Sequence, residues 1–578
     1  MSDTPFRVPP KVTELNRHFW TGGADGALHM QRCRDDGTWI HPPSPVCPTC
    51  LARNIEIATL AGTGVVHAVT VNHQAWNPTM PTPYVIALIE LDEGPRLLSN
   101  VTDAEPKDVT VGLPVEVWFE PVPAGRHTVH LPLFRPSREP AAPPRVLRGL
   151  ADGGDQLTIG EGVADPPKRV LQRPTREGPQ HTQRVGERAA IFAGVGMSQV
   201  GRGLGRDPMD LTVEACLRAI EDAGLTRDDI DGISTYPGEL GGPASFAGPG
   251  TPAVQDALRL AVNWHGGGPE GPAQMGAIIN AIMAVSTGLA RNVLVYRTVT
   301  EATGKQGGEG GGATAAASPK GVGGWLSWLL PYAAYSAANW AALYASRHMH
   351  EYGTTREQLG ALAVNARANA AKNPNAIYTD AMSLDDYLDV RMISTPLCLY
   401  DCDAPTDGST AFVISHRDTA GDLPNPAVHV NAVGTGLYGR PSWDQWEDLT
   451  TMAARDAATS LWARTDLAPA DVDVAQLYDG FSIINLVWLE ALGFCERGEG
   501  GPFIEGGGRI ALDGELPLNT GGGQLSGGRL HGFGLVHEAV LQLRGQADGR
   551  QVTDPEVAIV ANGGGNLAGA MLLTRGTG

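Results

Sequence analysis

The fold of this chain is decided by LTRDDIDGISTYPG at 225–238 and LAPADVDVAQLYDG at 467–480. These two stretches have the same order of residue types. Matching positions are separated by one constant displacement, and the pairs are Leu225 and Leu467, Asp229 and Asp471, Asp231 and Asp473, and Tyr236 and Tyr478. A run that predicts a strand and a run that predicts an amphipathic helix precede each stretch. These runs are 189–195 and 211–223 in the first copy, and 427–434 and 450–462 in the second. The repeated unit predicts two related α/β halves.

The bulk composition limits the class of protein. The chain has 578 residues, 42% hydrophobic and 18% charged, so two or three globular domains are expected. Its net charge of −20 disfavours nucleic acid and anionic membranes as partners. Seven cysteines in a chain of this length do not form a disulfide framework. The sequence contains neither a membrane-spanning run nor a signal pattern, so we expect a cytoplasmic protein without a membrane span.

The first predicted domain, residues 1–135, begins with cysteines at zinc-ribbon spacing. Cys47 and Cys50 form a C-x2-C pair downstream of Cys33 in QRCRDDGTWIHPPSPVCPTC. Four ligands close a tetrahedral zinc site, and Asp36 stands at the position of the missing second thiolate. A structural Cys3Asp zinc site is one interpretation, with His41 as the other candidate for the fourth ligand. A ribbon that folds without metal is the alternative.

A small β-barrel is predicted after the ribbon. The runs at 62–71, 84–91, 96–101 and 114–119 are rich in Val, Ile and Leu and are separated by Gly, Pro and Asp. A ribbon followed by such a barrel resembles the zinc-ribbon/OB-fold module that accompanies acyl-CoA enzymes of the thiolase superfamily. Residues 136–187, rich in Pro, Gly and charge, are predicted to be an interdomain linker that leads to a second domain, 188–578.

A glycine-rich stretch, NTGGGQLSGGRLHGFGLVHE at 519–538, is the strongest candidate for a ligand loop. Glycine at this density permits close backbone approach and positive φ. A helical pattern at 535–543 follows, and the N–H groups of its first turn are expected to point back toward the loop. Arg529 and His531 lie two residues apart and would face the same side of an extended segment. An ordinary surface loop is the alternative.

The repeat and five motifs resemble the thiolase superfamily. The motifs are IFAGVG at 191–196, DCDAPTDGSTAFVIS at 401–415, YDGFS at 478–482, NTGGGQLSGGRLHG at 519–532 and ANGGGNLAGA at 561–570. The resemblance spans 188–578 and implies a five-layered thiolase fold made of two α/β halves. More narrowly, the chain resembles the lipid-transfer-protein branch, which includes acyl-CoA retro-aldolases of steroid side-chain degradation. Those aldolases act with a separate ribbon/OB-fold partner, and here such a module belongs to the same chain.

The cysteines that a condensing thiolase uses are absent. The resemblance places the nucleophile at the start of a helix within 263–297, a stretch without cysteine. The sequence reads ANGGG at 561–565, where the second thiolase cysteine would precede the last glycine loop. Cys398, Cys402 and Cys495 remain, in apolar contexts typical of buried structural thiols. Acyl transfer through an enzyme thioester is therefore not expected.

Retro-aldol chemistry assigns roles to three residues. The reaction needs a base for the β-hydroxyl proton, hydrogen-bond donors for the thioester enolate and an acid for the α-carbon. The resemblance implies that Tyr478 is a catalytic tyrosine, whereas Arg529 stands at the place of the family's second tyrosine. Arg529 cannot act as a base, but it can lower the pKa of Tyr478 or bind an oxygen. Either His531 takes over this proton transfer, or the reaction differs from that of the family aldolases.

Further residues are expected to shape the site. The candidates for substrate binding are Asn519, Gly522, Gly523 and Gly532, of which the first three are candidates for the enolate-binding site. Asp407 is predicted to be a turn residue that shapes the pocket. His537 is predicted to be structural, and the aromatic run at 325–335 to form core or dimer contacts.

The first hypothesis is a carbon–carbon lyase that cleaves a β-hydroxyacyl-CoA into a ketone or aldehyde and a short acyl-CoA. The resemblance suggests a steroid or branched acyl group. No redox cofactor is expected, since no dinucleotide-binding fingerprint follows a strand, and the CoA thioester is itself the substrate. The expected partners are this acyl-CoA, a second copy of the chain in a homodimer, and an upstream hydratase. A non-catalytic acyl-CoA or lipid carrier and an atypical thiolase-like acyltransferase are the alternatives.

Overall fold

The structure is a computed structural model. It describes residues 7–77, 80–137, 186–238, 244–267, 273–307, 321–437, 439–440 and 442–576, together with two short strands between 138 and 185. Most of the predicted linker, 136–187, lies outside the described residues. Within the described residues, no helix is long and apolar enough to cross a membrane.

The N-terminal module is built almost entirely of strands. Its elements are α1 (Arg17–Gly22), β1 (Leu28–Cys33), β2 (Trp39–Ile40), β3 (Ile55–Leu60), β4 (Thr63–Asn72), β5 (Tyr84–Leu91), β6 (Arg96–Ser99), β7 (Pro114–Ala124) and β8 (His127–Pro136), followed by the pair β9 (Leu147–Arg148) and β10 (Thr158–Ile159). Strands β1–β3 form the ribbon sheet, and β4 pairs with both β5 and β7. A bridge between Val101 and Phe134 brings β8 back to the end of β6 and closes the barrel. The sequence pattern missed β8, because Pro132 interrupts its apolar alternation.

The second domain contains two series of strands and helices. The first half comprises β11 (Ala190–Met197), α2 (Pro208–Asp222), β12 (Gly232–Thr235), α3 (Ala244–Ala247), α4 (Thr251–Leu258), β13 (Trp264–Gly267), α5 (Gly276–Ser286), β14 (Asn292–Thr300), α6 (Glu301–Gln306), α7 (Ala337–Tyr352), α8 (Arg356–Ala370), α9 (Leu384–Asp389), β15 (Met392–Ser394), β16 (Leu397–Cys398) and β17 (Asp407–His416). The second half comprises β18 (Val428–Leu437), α10 (Ala454–Trp462), β19 (Val474–Leu477), α11 (Ser482–Ala491), α12 (Gly500–Ile504), α13 (Phe533–Arg544), β20 (Val557–Gly564) and β21 (Leu567–Arg575).

The two halves are joined through one continuous sheet. Its strand order is β13-β12-β14-β17-β11-β18-β21-β20-β19, and β11 pairs with β18 at the junction. Helix α2 covers the first half and α10 covers the second. Helix α13 contacts strands of both halves. Helix α5 contacts strands of the first half, and the turn before it contacts β20 and β21 of the second. The layers are therefore α2, the first-half strands, the central helices α5 and α13, the second-half strands, and α10. This arrangement confirms the predicted fold class.

The repeated aspartates have the same role in both halves. The Asp231 carboxylate accepts N–H bonds from Arg291 and Asn292 at 2.9 and 2.8 Å, which fixes the start of β14 beside β12. The Asp473 carboxylate accepts N–H bonds from Glu556 and Val557 at 2.8 and 2.9 Å, which fixes the start of β20 beside β19. The aspartate recurs in the sequence because both halves join their neighbouring parallel strands in the same way.

Glycines let each outer helix approach its strand closely. A Cβ atom at Gly194 of β11 would lie 2.1 Å from the Ala219 carbonyl oxygen of α2. A Cβ atom at Gly434 of β18 would lie 2.2 Å from the Ala457 carbonyl oxygen of α10. Both contacts are far shorter than a van der Waals contact, so only glycine fits between strand and helix. The two halves therefore pack their outer helices in the same way.

The N-terminal module packs on the aromatic run at 325–335. The Trp328 ring stacks on Trp20, with 4.7 Å between ring centroids. Arg7, which is buried, donates hydrogen bonds to the Asn100 side chain at 2.8 Å and to the Pro331 carbonyl at 3.1 Å. The aromatic run thus forms the contact between the two domains. The sequence predicted core or dimer contacts for it and did not identify this partner.

A buried polar network also crosses the domain boundary. Ser394 of β15 pairs with Asn72 of β4, so the barrel sheet continues into the second domain. The Asn339 side chain donates to the Asn72 side-chain oxygen at 3.0 Å and to the Ser394 hydroxyl at 2.9 Å. Because all three residues are buried, each bond replaces solvent contacts that are lost on docking. The module is therefore an integral part of the fold.

We expect Gly434→Ala to destabilise the protein by about 3 kcal/mol, because its new methyl group would overlap the α10 backbone. Gly421→Ala is the matched control, since a Cβ atom there meets nothing within 4 Å. Differential scanning calorimetry of both variants measures the effect as a fall in Tm. Equal Tm values for the two variants would contradict the proposed strand–helix contact.

Candidate active site

Asparagine and aspartate side chains fix the glycine-rich loop against the end of β19. The Asn519 side chain accepts the Leu477 N–H at 2.8 Å and donates to the Leu477 carbonyl at 2.9 Å. The Asp479 carboxylate accepts N–H bonds from Gln524 at 2.8 Å and Leu525 at 3.3 Å. Burial raises the pKa of Asp479 to about 7, with the neighbouring Asp403 carboxylate contributing. These bonds bring the YDG and NTGGG motifs together.

Tyr478 lies where β19 ends and the active-site loop begins. Its N–H donates to the Ala561 carbonyl of β20 at 2.8 Å, and only 8% of the residue is exposed. A Cβ atom at Gly480 would lie 2.6 Å from the Tyr478 ring, so the small residue makes room for the phenol. The structure thus fixes the backbone of Tyr478 and encloses its side chain.

Arg529 is held by two carboxylates from other parts of the chain. Its guanidinium donates to Glu301 at 2.6 Å and to Asp403 at 3.1 Å. Burial alone lowers the pKa of Arg529, but the charges of Asp403 and Glu301, with a contribution from Tyr478, raise it above its ordinary value. The Arg529 cation and the Tyr478 phenol therefore lie close enough to interact electrostatically.

His531 lies next to this pair and is uncharged. Its ring stacks on Tyr236 and meets Phe246 edge-on, with 6.0 and 4.8 Å between ring centroids. Burial, followed by the charges of Arg297 and Arg529, lowers the pKa of His531 well below its usual value. The imidazole is therefore uncharged near neutral pH, and its Nδ1 atom has no hydrogen-bond partner among the described residues.

Several of the loop groups predicted to bind substrate already make hydrogen bonds within the protein. The Gly522 N–H donates to the Asn519 carbonyl at 2.8 Å, and both ends of the Asn519 side chain bond to Leu477. The Gly532 N–H donates to the Gln524 side chain at 3.0 Å. A Cβ atom at Gly523 would lie 2.0 Å from the Asp479 carboxylate. These contacts fix the conformation of the loop.

Several residues of the constellation were not found from the sequence. They are Glu301, Asp403, Asp479, Gln524 and Asn562. Asp403 and Asp479 stand inside motifs that carried the family resemblance, so a search of those motifs for acidic residues could have found both. Glu301 follows β14 and gives no local signal, because its contact with Arg529 depends on the packing of the two halves.

Asp407 and His537 support the site from outside it. The Asp407 carboxylate accepts the Leu204 N–H at 2.7 Å and the Thr303 N–H at 3.0 Å, which ties one loop and helix α6 to the start of β17. His537 lies on α13 beside an open cleft that Gln524 and Leu530 also line. Burial lowers the pKa of His537 to about 4, so this histidine is also uncharged near neutral pH.

The remaining cysteines of the second domain have properties of structural thiols. Burial raises the pKa of Cys398 and of Cys495 to about 12. Burial and the charges of Asp401 and Asp403 raise the pKa of Cys402 well above its usual value. Since the thiolate is the reactive form, none of these three residues is activated for nucleophilic attack.

The ribbon brings four metal-ligand side chains together. The ligand atoms of Cys33, Asp36, Cys47 and Cys50 all lie within 4.8 Å of one another. The Cys33 and Cys50 sulfur atoms are 3.6 Å apart, and the Cys47 sulfur lies 3.4 Å from an Asp36 carboxylate oxygen. Three thiolates and a carboxylate at such spacing fit a tetrahedral zinc ion. His41 does not belong to this group, because its ring packs against Phe19 and Trp328.

Comparisons with known proteins agree with this architecture. Residues 438–575 match the family description "Thiolase C-terminal domain-like". Residues 58–120 match "ChsH2, C-terminal OB-fold domain", and residues 20–56 match "ChsH2, rubredoxin-like zinc ribbon domain". These matches confirm the predicted ribbon, barrel and thiolase-like parts of the chain.

Two relatives match 66% of this chain over nearly their whole length. The chain is 35% identical over 397 residues to a "Steroid side-chain-cleaving aldolase" of Thermomonospora curvata, covering 66% of this chain and 97% of that protein. It is 33% identical to a "17-hydroxy-3-oxo-4-pregnene-20-carboxyl-CoA lyase" of Mycobacterium tuberculosis, covering 66% of this chain and 98% of that protein.

Among solved structures, the "Ltp2-ChsH2(DUF35) aldolase" is similar, with a TM-score of 0.60 and 33% identity. The similarity covers 68% of this chain and 99% of that chain. The name of that structure pairs an aldolase with a ChsH2 component. Here a thiolase-like domain and ChsH2-type domains occur in one polypeptide. The chain therefore belongs to the thiolase superfamily, in its lipid-transfer-protein and acyl-CoA aldolase branch, and carries a ChsH2-type zinc-ribbon and OB-fold module at its N-terminus.

Proposed function

We propose that this protein is an acyl-CoA aldolase that cleaves the Cα–Cβ bond of a β-hydroxyacyl-CoA. The products are a ketone or aldehyde and a shorter acyl-CoA. The relatives named as an aldolase and as a CoA lyase support this reaction class. The missing thiolase cysteines also support it, because a retro-aldol cleavage requires no acyl-enzyme.

The observation that carries the proposal is the electrostatic interaction between Tyr478 and the buried guanidinium of Arg529. A free tyrosine, with a pKa of about 10, is a poor base near neutral pH. A fixed cation at its side favours the phenolate and so makes the residue a better base. Asp403 and Glu301 hold that cation in place, which keeps its charge directed at the site.

We assign the proton removal to Tyr478. Its phenolate takes the proton of the β-hydroxyl group, the oxygen forms a carbonyl with Cβ, and the Cα–Cβ bond breaks. The electron pair of that bond moves into the thioester, which becomes an enolate, and the α-carbon then gains a proton. The step needs no oxidant or reductant, so it balances without a redox cofactor.

We assign the second proton transfer to His531. Because the imidazole is neutral, it carries one ring proton and one free lone pair and can pass a proton between the phenol and the α-carbon. Its ring is fixed between Tyr236 and Phe246, which limits its motion. Arg529 remains charged throughout and acts by electrostatics alone.

We propose a steroid or another bulky branched chain as the acyl group. The support for this class comes from the two relatives, whose names refer to a steroid side chain and to a pregnene carboxyl-CoA. Hydration of an enoyl-CoA is the class of reaction that would supply such a β-hydroxyacyl-CoA, so an upstream hydratase is the expected source of substrate.

We further propose that the second domain forms a homodimer. Strand β13 is the edge of the large sheet and has β12 as its sole partner among the described residues. Helix α5 packs beside it, and Met283 of this helix and Leu289 just after it are 53% and 61% exposed to solvent. An open strand edge next to exposed apolar side chains favours pairing with a second copy.

Tyr478→Phe is expected to lower kcat for cleavage of a tertiary β-hydroxyacyl-CoA by about 10²- to 10⁴-fold, because it removes the proposed base. The dissociation constant of the acyl-CoA should change little. Mass spectrometry of the released short acyl-CoA measures the rate. Tyr352→Phe is the matched control, since Tyr352 lies on the surface end of α7. A Tyr478→Phe variant with full activity would contradict the assignment of the base.

Arg529→Gln is expected to lower kcat by about 10²-fold or more and to move the acidic limb of the pH–rate profile to higher pH. The reason is that a neutral residue no longer favours the phenolate of Tyr478. Arg529→Lys keeps the charge and should shift the limb less. Arg464→Gln, which removes an arginine that pairs with Glu187 elsewhere, is the control. An unshifted limb in Arg529→Gln would exclude an electrostatic role.

We also propose that Cys33, Asp36, Cys47 and Cys50 hold a structural zinc ion. Elemental analysis of the purified protein is expected to find about one zinc per chain. Asp36→Ala should lower both the zinc content and the Tm, because it removes one of four ligands. Asp35→Ala should change neither, since Asp35 bonds to Asn54 and lies outside the ligand group. Metal-free protein with an unchanged Tm would contradict a structural zinc.

A further inference from the structure

The side-chain amide of Asn562 is buried without a hydrogen-bond partner. Asn562 lies in β20, is 0% exposed, and neither its oxygen nor its nitrogen bonds to any described residue. Because both atoms lack a partner, either orientation of the amide leaves a donor unpaired. Buried polar groups rarely lack a hydrogen-bond partner. Where one does, a ligand or a water molecule commonly occupies the position next to it.

Asn562 lies between the proposed proton-transfer residues. The residue before it, Ala561, accepts the N–H bond of Tyr478. On its other side lies Gly532, the neighbour of His531, where a Cβ atom would be 2.4 Å from the Asn562 side-chain nitrogen. Gly532 has a φ of +82°, which also favours glycine. The loop therefore brings its backbone directly against the Asn562 amide.

A second unpaired amide donor belongs to the same part of the loop. The Gln524 side-chain oxygen accepts the Gly532 N–H, which fixes the orientation of this amide. Its nitrogen consequently points elsewhere and has no partner among the described residues. Gln524 is buried and is anchored through its own N–H to Asp479. Two amide side chains thus contact Gly532 and leave donors unpaired.

We propose that Asn562 and Gln524 bind the thioester carbonyl oxygen and stabilise the enolate that forms there. This inference rests on the proposed aldolase function and deepens it. Of the loop groups predicted from sequence, the Gly522 N–H and the Asn519 side chain already bond within the protein and are not free to bind this oxygen. The unpaired donors of the two side chains fill this role instead.

Neutral amides suit the electronic demand of this step. Cleavage transfers the electron pair of the broken Cα–Cβ bond to the thioester oxygen, which gains negative charge. Donors that are fixed before the reaction lower the energy of this charge without having to reorganise. Two amide donors leave the oxygen unprotonated, so the enolate can recover its proton at the α-carbon. Asn562 is not a nucleophile, which agrees with a reaction without an acyl-enzyme.

The test separates enolate formation from bond cleavage. Full-length wild type, Asn562→Asp, Asn562→Ala and Gln524→Glu are incubated with propionyl-CoA in D2O, and mass spectrometry follows deuterium entry at the α-carbon. Gln524→Glu keeps the acceptor for Gly532 and removes the donor. Asn431→Asp is the matched control, because Asn431 lies on β18 and its side-chain oxygen accepts the Thr465 hydroxyl bond there.

Binding measurements report the donors independently of turnover. For each protein, the dissociation constant of propionyl-CoA is compared with that of S-propyl-CoA, a thioether that lacks the carbonyl oxygen. We expect wild type and Asn431→Asp to exchange deuterium and to prefer the thioester. We expect the Asn562 and Gln524 variants to exchange about 10²- to 10³-fold more slowly and to lose that preference.

The outcomes distinguish this inference from the proposed function. Variants that exchange like wild type, or that exchange slowly while still preferring the thioester, would overturn the role of the amides. A wild type that neither exchanges deuterium nor cleaves a β-hydroxyacyl-CoA would overturn the aldolase function itself. The thioester preference would then decide separately whether the two amides bind the carbonyl oxygen. Thermal unfolding of each variant identifies any loss of folding, and Asn562→Ala and Gln524→Glu provide the result if Asn562→Asp does not fold.

Discussion

A guanidinium shared by two carboxylates holds the active site together. Arg529 comes from the second half of the thiolase-like domain, Glu301 from the first half, and Asp403 from the segment between β16 and β17. Buried charges are costly unless each has a partner, so this triad is stable only when all three segments are in place. The position of Tyr478 beside a fixed positive charge is therefore a consequence of how the two halves pack. A site of this kind cannot form from either half alone.

The central helices explain why the site lies where it does. Helices α5 and α13 form the layer between the two halves, and the glycine-rich loop leads into α13. The turn before α5 contains Gln274, which is buried and whose side-chain oxygen has no partner among the described residues. The family's nucleophilic cysteine would stand at the start of this helix, and its second cysteine would stand near Asn562. Amide side chains occupy both regions, which fits a protein that uses the thiolase framework for chemistry without a covalent intermediate.

The sequence predicted the framework well because the framework repeats. Asp231 and Asp473 recur since each joins neighbouring strands within its half, and Gly194 and Gly434 each lie against an outer helix. Tyr478, Arg529 and His531 were proposed from the sequence because motifs carry them. Glu301 and Asn562 were missed, since their contacts link residues far apart in sequence. The amides of Gly522 and Gly523 were assigned to the enolate because glycine-rich loops often bind anions, but the Gly522 N–H bonds to the Asn519 carbonyl within the loop.

The most direct test of the account is the fate of the substrate in D2O without added free CoA. A tertiary β-hydroxyacyl-CoA is incubated with the full-length protein, and both the small products and the intact protein are weighed by mass spectrometry. The account predicts a ketone, a shorter acyl-CoA with one solvent deuterium at its α-carbon, and a protein of unchanged mass. Cleavage that requires free CoA, or an acyl group attached to the protein, would contradict it, because either result indicates acyl transfer.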